Sequence, residues 1–435
     1  MHTKIHRNTG LFMSNETSTD FTAIMTDSED ELDDEIFQND EEFLLKPPST
    51  LNNNNRKFSN ISRRRSSVFS KISINNNPIN SQNLEFIQDY SSDLSNRTIN
   101  DFEEINILGI GSYGRVYLVE DIYTKKLYAK KTIKKAKISI DTKLYKTHKN
   151  EREILSKMNH PSIVKLFYAF HDFEDINFIL EYIPGGEIFY HLSQSNRFNE
   201  NDTAFYLAEI SQAIYHLHSQ AGIVYRDLKP ENVMLNAQGH IVLTDFGLSS
   251  MDEICKSILG TPEFTAPEVL KGEEYSFPAD WWSLGIMMFD MLTGKSPFTG
   301  NNKTTIFKKI IEKKLEIPKY LSLDAQDLLR KLINKNPQKR MNIDKDFTIL
   351  EKHRFFRKID WKNLRNLKPP IIPDTTDLRK ATNFDHNYIR EIMKKEDKNP
   401  QDNQDTQPNT TTEFDNDLFQ GFSFVASKPF LEMHM

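Results

Sequence analysis

One polar run, Tyr225-Arg226-Asp227-Leu228-Lys229-Pro230-Glu231-Asn232, constrains the fold of this chain more than any other stretch. It places a carboxylate, an ammonium and an amide within six residues, and Asp245-Phe246-Gly247 follows a short predicted hairpin. A base that orients a hydroxyl, with a lysine and a magnesium ion that neutralise a phosphate, requires this set of groups. The two segments act together only in a fold that brings both loops to one site. A charged surface turn is the alternative interpretation.

A glycine-rich segment, Gly109-Ile110-Gly111-Ser112-Tyr113-Gly114, is the second constraint. Apolar and β-branched residues on both sides of it predict a strand, a turn and a second strand. Such a pattern can also open a dinucleotide-binding helix, but the residues that follow, 115–119, are strand-like rather than helix-forming. A glycine-rich hairpin that covers nucleotide phosphates fits better, with Val116 above the adenine.

A lysine and a glutamate follow on separate predicted elements. The strand predicted over Leu127 to Ile133 contains Lys130 and Lys131, and the helix predicted around Lys149 to Met158 carries Glu151 on its apolar face. A carboxylate on such a face is costly to bury unless it is paired, so Lys131 is its expected partner. The lysine assignment depends on the strand register. The alternatives are lysines on a solvated strand edge and a helix-dipole contact for the glutamate.

The order and spacing of these motifs resemble the catalytic and metal-binding loops of protein kinases. Tyr225 stands where most kinases have histidine, which is characteristic of the AGC group of serine/threonine kinases, the relatives of the cAMP-dependent kinase. The resemblance implies an α+β, bilobal protein-kinase fold, with a small β-rich N-lobe and a large helical C-lobe. It also implies transfer of the γ-phosphoryl group of ATP, with Mg²⁺, to Ser or Thr of protein substrates.

The same resemblance assigns roles to individual residues. Asp227 would accept and orient the substrate hydroxyl, Lys229 would neutralise the γ-phosphoryl group, and Asn232 and Asp245 would hold Mg²⁺. Leu180 would be the gatekeeper beside the adenine. The full set assigned to ATP is Leu108, Gly109, Ile110, Gly111, Ser112, Tyr113, Gly114, Val116, Ala129, Lys131, Glu151, Leu180, Glu181, Ile183 and Glu187.

The segment after Gly247 resembles a kinase activation segment. Ala266-Pro267-Glu268 matches the A-P-E motif, whose glutamate would pair with Arg340. Ser257 matches the activation-loop phosphosite, where Arg226 would bind the phosphate. A lysine is frequent in the family at the position of Ser250, and its absence weakens that pocket unless His148 contributes.

Substrate selection is also implied by the resemblance. Glu187, Glu231 and Asp290 match the acidic positions with which AGC kinases bind arginines that precede the target hydroxyl. Carboxylate–guanidinium pairs are directional and charge-assisted, so they can select sequence. Thr261 favours Ser/Thr over Tyr substrates. The expected partners are therefore basic protein substrates.

The C-terminal part of the chain resembles the AGC tail. Phe384-Asp385 matches the element whose ring completes the adenine pocket, and Phe419-Gln420-Gly421-Phe422-Ser423-Phe424 matches the hydrophobic motif. In the family these aromatic rings fill a groove beside the helix that carries the paired glutamate, and phosphorylation, here at Ser423, strengthens docking. Glu396-Asp397 lies near the position of a turn-motif phosphosite, and Phe414 to Leu418 resembles a TOR-signalling docking motif.

Within the AGC group, the chain resembles the TOR-regulated ribosomal-protein S-six kinase branch, as a fungal member. Phosphoinositide-dependent-kinase-like and TOR-like kinases would then be its upstream activators, and a ribosomal protein its substrate. An SGK- or Akt-like branch and a non-catalytic scaffold with a kinase fold are the alternatives. The segments that carry the branch resemblance are Tyr206–Ser211, Asp280–Gly285, Asp290–Gly294 and Gly421–Val425.

Composition sets the remaining limits. The chain has 435 residues, of which 37% are hydrophobic, and its mean hydropathy of −0.60 is polar for a chain that folds throughout. A net charge of −6 argues against a dedicated nucleic-acid binder, and a single cysteine, Cys255, indicates a reducing compartment. No apolar run reaches the length of a membrane span, and residues 1–10 lack the core of a secretory signal. We expect a monomer in the cytoplasm, with the nucleus as an alternative.

The predicted domain organisation has three parts. Residues 1–97 form a disordered regulatory tail, 102–356 the kinase catalytic domain, and 357–431 the AGC C-terminal domain with the hydrophobic motif. The first part contains an acidic block, Asp27 to Glu42, which buries too little apolar surface to fold. It also contains Arg63-Arg64-Arg65-Ser66-Ser67, which is either a site for a basophilic kinase or a nuclear-import patch.

Overall fold

A computed structural model of the chain describes residues 12–13, 94–111, 114–140, 142–341, 343–398 and 419–434. Several predicted features lie outside the described residues. They are the acidic block and the arginine–serine run of the N-terminal segment, Ser112 and Tyr113 of the glycine-rich turn, and the docking motif Phe414 to Leu418.

The strands form one large antiparallel sheet and two small ones. They are β1 (Phe12–Met13), β2 (Phe102–Ile110), β3 (Gly114–Asp121), β4 (Leu127–Lys134), β5 (Leu166–His171), β6 (Asp175–Glu181), β7 (Val233–Leu235), β8 (Ile241–Leu243), β9 (Leu259–Gly260) and β10 (Phe424–Val425). The large sheet has the order β10-β5-β6-β4-β3-β2, while β7 pairs with β8 and β1 with β9. The sheet is the core of the N-lobe, as predicted.

Helices make up most of the C-lobe and flank the sheet. They are α1 (Lys135–Ile140), α2 (Thr142–Lys157), α3 (Ile188–Ser195), α4 (Glu200–Ala221), α5 (Pro267–Leu270), α6 (Pro278–Thr293), α7 (Lys303–Glu312), α8 (Leu323–Leu332), α9 (Thr348–Glu351), α10 (His386–Lys398) and α11 (Lys428–Met433). Among the described residues, no helix is both long and apolar enough to cross a membrane.

Local sequence sets the ends of the two long C-lobe helices. The side chain of Asn199 accepts hydrogen bonds from the amides of Asn201 and Asp202, which satisfies free donors at the start of α4. Helix α6 begins with Pro278 and ends at Gly294, whose φ of 73° is left-handed and favours glycine. Residues 279–292 between them are buried, so α6 is the central core helix of the C-lobe.

Helix α2 begins earlier than the sequence predicts. Its predicted span, Lys149 to Met158, rested on one apolar face, whereas the helix runs over Thr142–Lys157. The added turns are rich in lysine and carry a low apolar content, but Leu144 and Tyr145 are buried against the rest of the lobe. Tertiary burial of these two side chains therefore extends the helix beyond its periodic pattern.

The end of the chain packs onto the N-lobe. The amide of Ala426 donates to the carbonyl of Phe167 at 2.9 Å, directly after β10 joins the edge of the sheet. Leu431 of α11 is 1% exposed and belongs to the same apolar cluster as Leu94 and Phe102. We call residues 426–433 the C-terminal cap, and the sequence had predicted no structure for it beyond Val425.

Candidate active site

Asp227 occupies the centre of the catalytic loop and is 3% exposed. Its Oδ1 accepts a hydrogen bond from the Thr261 hydroxyl at 3.0 Å, and its Oδ2 accepts one from Asn232 Nδ2 at 2.9 Å. Lys229 Nζ lies 2.9 Å from the same carboxylate and also donates to the Thr261 hydroxyl at 2.9 Å. The loop thus holds the predicted base in one orientation with a lysine beside it, and the activation segment contributes through Thr261.

The donor set around Asn232 fits a hard divalent cation. Its amide nitrogen donates both to the Asp227 carboxylate and to the Asp227 backbone carbonyl at 2.8 Å, so the amide oxygen is left for a ligand. Asp245 supplies a carboxylate whose side chain is 42% exposed to the cleft. Within the described ranges, no cluster of three or more His, Cys, Asp or Glu side chains forms a metal site. Two protein oxygens suit Mg²⁺, which keeps water and phosphate oxygens as its other ligands.

Lys131 connects the two lobes of the site. Its Nζ lies 2.7 Å from Glu151 Oε1 on α2 and 3.0 Å from Asp245 Oδ1. Enclosure by the lobes opposes ionisation of Asp245, but the lysine beside it outweighs this and lowers the pKa of its carboxyl to about 2. The predicted lysine–glutamate pair is therefore in contact, and the carboxylate that was predicted to bind the metal is ionised and lies beside the lysine. Lys130, the other register candidate, pairs with Glu104 instead.

An apolar cluster lies where the sheet meets the hinge. Leu108 and Ala129 are buried in one cluster with Val116 and Leu180, which the sequence assigned to the adenine site. Phe384 from the tail joins this cluster and stacks on Tyr182 with ring centroids 6.2 Å apart. The cluster therefore includes a ring about 200 positions away from the hinge, the one that the AGC resemblance assigns to the adenine pocket.

The hairpin between β2 and β3 requires glycine. The amide of Gly111 donates to the carbonyl of Gly114 at 2.9 Å, which closes the β2–β3 hairpin beside Gly109 and Ile110. A Cβ on Gly114 would overlap the backbone carbonyl of Thr132 on β4, so the hairpin can lie close to the next strand only with glycine there.

The hinge places two further candidates at the mouth of the site. The Glu181 side chain pairs with Lys165 at 2.7 Å, and its amide donates to the Lys165 carbonyl. Ile183 is 3% exposed and accepts a hydrogen bond from the Gly186 amide at 3.4 Å. These contacts fix the backbone at Glu181 and Ile183, both of which the resemblance assigns to ATP.

Three carboxylates lie close together on the substrate side of the hinge. Enclosure first, and then the neighbouring charges of Glu231 and Asp385, raise the pKa of Glu187 to about 8. The anionic form of such a carboxyl is destabilised, so an arginine side chain that pairs with Glu187 would stabilise its ionised form. Asp290, the other predicted arginine contact, is fully buried in α6, and the structure does not expose its carboxylate to a substrate.

The activation segment presents Ser257 at the surface. The hydroxyl of Tyr275 donates to the Ser257 carbonyl at 2.7 Å and also hydrogen-bonds the guanidinium of Arg226. Arg226 further donates to the carbonyls of Leu248 and Ser249. The predicted phosphate-binding arginine is thus one side chain away from the predicted phosphosite.

Two positions were connected with that phosphate pocket, namely Ser250, where the lysine frequent in the family is missing, and His148, the alternative contributor. Ser250 is buried, and its hydroxyl accepts a hydrogen bond from the Asp252 amide at 3.1 Å. His148 places Nδ1 3.3 Å from Glu151 Oε2, on the side of α2 that carries the lysine–glutamate pair. Ser250 therefore stabilises a turn, and His148 supports Glu151.

The hydrophobic motif is docked beside α2. The ring of Phe419 lies 5.1 Å from Tyr145 of α2 with Lys135 Nζ over its face at 4.1 Å, and the ring of Phe422 lies 5.5 Å from Phe178 of β6. Arg152 Nη2 donates to the Gly421 carbonyl at 3.2 Å. Ser423, which directly follows the docked ring of Phe422, remains exposed, as a phosphorylation site requires.

Asp280 is a functional residue to which the sequence assigned no role. It is fully buried in α6, and its carboxylate accepts hydrogen bonds from the backbone amides of Tyr225 and Arg226, at 2.8 Å each. A charged residue at the start of an otherwise apolar helix was the available signal, because a buried carboxylate requires partners.

The predicted pair of Glu268 and Arg340 is present, with bidentate distances of 2.7 and 2.9 Å.

Comparison with known proteins agrees with this geometry. The family model described as the protein kinase domain matches residues 102–356. The serine/threonine-protein kinase YPK3 of Saccharomyces cerevisiae is 40% identical over 407 residues, covering 78% of this chain and 77% of the relative. Ribosomal protein S6 kinase alpha-6 of Danio rerio and alpha-3 of Homo sapiens are each 42% identical over 335 residues, which is 75% of this chain and 44% of theirs. The chain therefore spans less than half the length of these S6 kinases.

Proposed function

The chain belongs to the protein kinase family, as a serine/threonine kinase of the AGC type related to YPK3 and the S6 kinases, and we propose that it phosphorylates arginine-bearing proteins from ATP. The observation that carries this proposal is the assembled catalytic centre. Lys131 contacts Glu151 and Asp245, while Asp227 is held by Thr261, Asn232 and Lys229. Each group that phosphoryl transfer needs is within reach of the others.

The chemistry divides among these side chains. Asp227, held by three donors, accepts the hydrogen of a substrate hydroxyl and aims the oxygen at the cleft. Burial opposes the charge of Lys229, but its contact with Asp227 raises its pKa, so the lysine is an ammonium that can neutralise a phosphate. Bound Mg²⁺–ATP supplies the phosphoryl group and the charge neutralisation that the oxygens of Asn232 and Asp245 are placed to support.

The substrate class follows from the charge of the cleft. Glu187 and Glu231 place two carboxylates close together, where enclosure and then the charge of Glu231 raise the pKa of Glu187 while the charge of Lys229 lowers it. An arginine that precedes the target hydroxyl would relieve this repulsion through a charge-assisted pair. Because the relatives include kinases named for ribosomal protein S6, a basic ribosomal protein is our candidate substrate.

We further propose that phosphorylation at Ser257 and Ser423 activates the chain in a TOR-type growth pathway in the cytoplasm or nucleus. A phosphoinositide-dependent-kinase-like enzyme would modify Ser257, and a TOR-like kinase Ser423. Both serines are exposed, Arg226 lies near the first through Tyr275, and the second follows the docked ring of Phe422. A phosphate adds nearly two negative charges that such contacts can bind.

The decisive test replaces Asp227 with Asn. We expect phosphate transfer from ATP to an arginine-rich peptide to fall by at least about 100-fold, because the base is lost, while ATP affinity stays within about two-fold. Asp360→Asn, at an exposed turn far from the cleft, is the matched control and should retain full activity. Turnover by the Asp227→Asn chain would refute the mechanism. An inactive wild-type chain, phosphorylated at both serines, would favour a scaffold.

A further inference from the structure

A buried histidine lies between two carboxylates beneath the catalytic loop. His218, in the last turn of α4, has a side chain that is 1% exposed. Its Nε2 lies 2.8 Å from Asp280 Oδ2, and its Nδ1 lies 2.7 Å from Asp344 Oδ1. Asp344 comes from the segment after α8, so three separate parts of the C-lobe meet at this imidazole.

Both ring nitrogens of His218 therefore act as donors. A neutral imidazole carries a single N–H, whereas two ionised carboxylates can each only accept. Burial alone would lower the pKa of His218, but the hydrogen bonds to Asp280 and Asp344 outweigh it and raise the pKa. The rings of Phe277 and Trp281 pack on the imidazole at 4.6 and 5.3 Å, so the charged groups that face it are the two aspartates.

Asp280 connects His218 to the backbone of the catalytic loop. Its two oxygens accept the amides of Tyr225 and Arg226, and the next residue is Asp227. Arg226 has a φ of 69°, a left-handed conformation that is strained outside glycine and persists only where its surroundings hold it. The orientation of the Asp280 carboxylate is therefore part of what keeps the base in place.

Asp344 has one further contact, which fixes its own orientation. Its Oδ2 accepts the indole N–H of Trp281 at 2.8 Å, so Oδ1 is directed at the histidine. The series of contacts runs from Asp344 through His218 and Asp280 to the backbone beside Asp227. Asp344 itself touches none of the residues assigned to ATP, metal or substrate.

We propose that Asp344 is a positioning residue for phosphoryl transfer, because it keeps both N–H donors on His218 and thereby fixes the Asp280 carboxylate that holds the catalytic loop. The inference rests on the proposed kinase activity. Without the Asp344 charge, the pKa of His218 falls, because burial still opposes the charged ring and Asp280 alone then supports it. Its hydrogen bond to Asp280 is then weaker, and the loop backbone is held less firmly.

The test compares Asp344→Asn with the wild-type, full-length, phosphorylated kinase. Asparagine is nearly isosteric, but its single amide oxygen can accept only one of the two N–H groups that Asp344 accepts, so the change removes the charge and one acceptor. We expect kcat of the variant to approach wild type near pH 6 and to fall as the pH rises, to roughly a tenth of wild type near pH 9. KM for ATP should stay within about two-fold, since the nucleotide pocket is untouched. The wild-type kcat should show no such alkaline loss.

A double-mutant cycle separates this role from general stability. If Asp344 acts through the histidine, Asp344→Asn should have no further effect on kcat in a His218→Gln background. A pH profile parallel to wild type, or full additivity with His218→Gln, would overturn the proposal. Inactivity of the wild-type chain would refute the proposed function instead.

A spectroscopic measurement keeps the proposal falsifiable if either variant fails to fold. Nitrogen-15 NMR of the wild-type chain reports whether each ring nitrogen of His218 is protonated. The His218 signals are identified through the backbone assignment of the C-lobe. We expect both to be protonated at about pH 8. A singly protonated ring at that pH would overturn the inference.

Discussion

Truncation of Phe422 to alanine should undock the C-terminal tail. The ring of Phe422 is fully buried and lies edge-on to Phe178 at 5.5 Å and to His171 at 6.5 Å. Removal of a buried phenyl ring typically costs about 3–5 kcal/mol. Because about 1.4 kcal/mol corresponds to a tenfold change in an equilibrium constant, docking should weaken on the order of 100-fold or more.

The loss should reach the catalytic centre through two contacts. Phe178, which Phe422 covers, is the cross-strand partner of Lys131 on β4. Tyr145, which packs on Phe419, belongs to the helix that carries Glu151. The docked tail therefore supports both members of the lysine–glutamate pair. We expect Phe422→Ala to lower kcat/KM by roughly tenfold or more, with KM for ATP raised, since the pair holds phosphates.

The assay measures peptide phosphorylation together with hydrogen exchange at the Ala426 amide, which is protected only while the tail is paired with β5. Phe173→Ala is the matched control, because it removes the same ring from a side chain that is 71% exposed in the same lobe. The reasoning is wrong if Phe422→Ala keeps wild-type kcat/KM while exchange at Ala426 accelerates. Equal losses in both variants would also contradict it.

Three further predictions concern charge and packing. Since Glu187 titrates at about pH 8 and only its ionised form pairs with arginine, KM for an arginine peptide should fall as the pH rises through 8, and Glu187→Gln should abolish this dependence. Glu268→Ala leaves Arg340 buried without its partner and should cost about 3–5 kcal/mol in urea denaturation; a loss below about 1 kcal/mol would contradict this. Leu431→Ala should loosen the C-terminal cap, seen as faster exchange at Ala426 with global stability changed less.

The catalytic residues could be predicted from the sequence because their spacing is local. One loop of six residues contains Asp227, Lys229 and Asn232, and the short β7–β8 hairpin brings Asp245 close to them. The lysine–glutamate pair followed from a cost argument, namely that a carboxylate on the apolar face of α2 needs a cation. Such arguments use burial and charge alone and require no knowledge of the tertiary path.

Contacts between distant segments could not be predicted in this way. The C-terminal cap has no periodic pattern of its own, and α11 is only six residues long. It forms because Leu431 finds an apolar surface made by Leu94 and Phe102, which no local signal places together. The prediction that Asp290 contacts a substrate arginine was wrong for the converse reason. Its position in the motif was clear, but its burial inside α6 depends on how the whole lobe packs.

Two of the residues that support Asp227, Asp280 and Thr261, differ in whether their contacts can be regulated. Asp280 lies in the buried part of α6, where it contacts His218 and accepts hydrogen bonds from the loop amides. Because of these contacts, it cannot move without disrupting the C-lobe core. Thr261 reaches Asp227 from the activation segment, four residues after the exposed Ser257. A phosphate at that serine would therefore act on the Thr261 contact, and activation should change how the base is held while the Asp280 support stays constant.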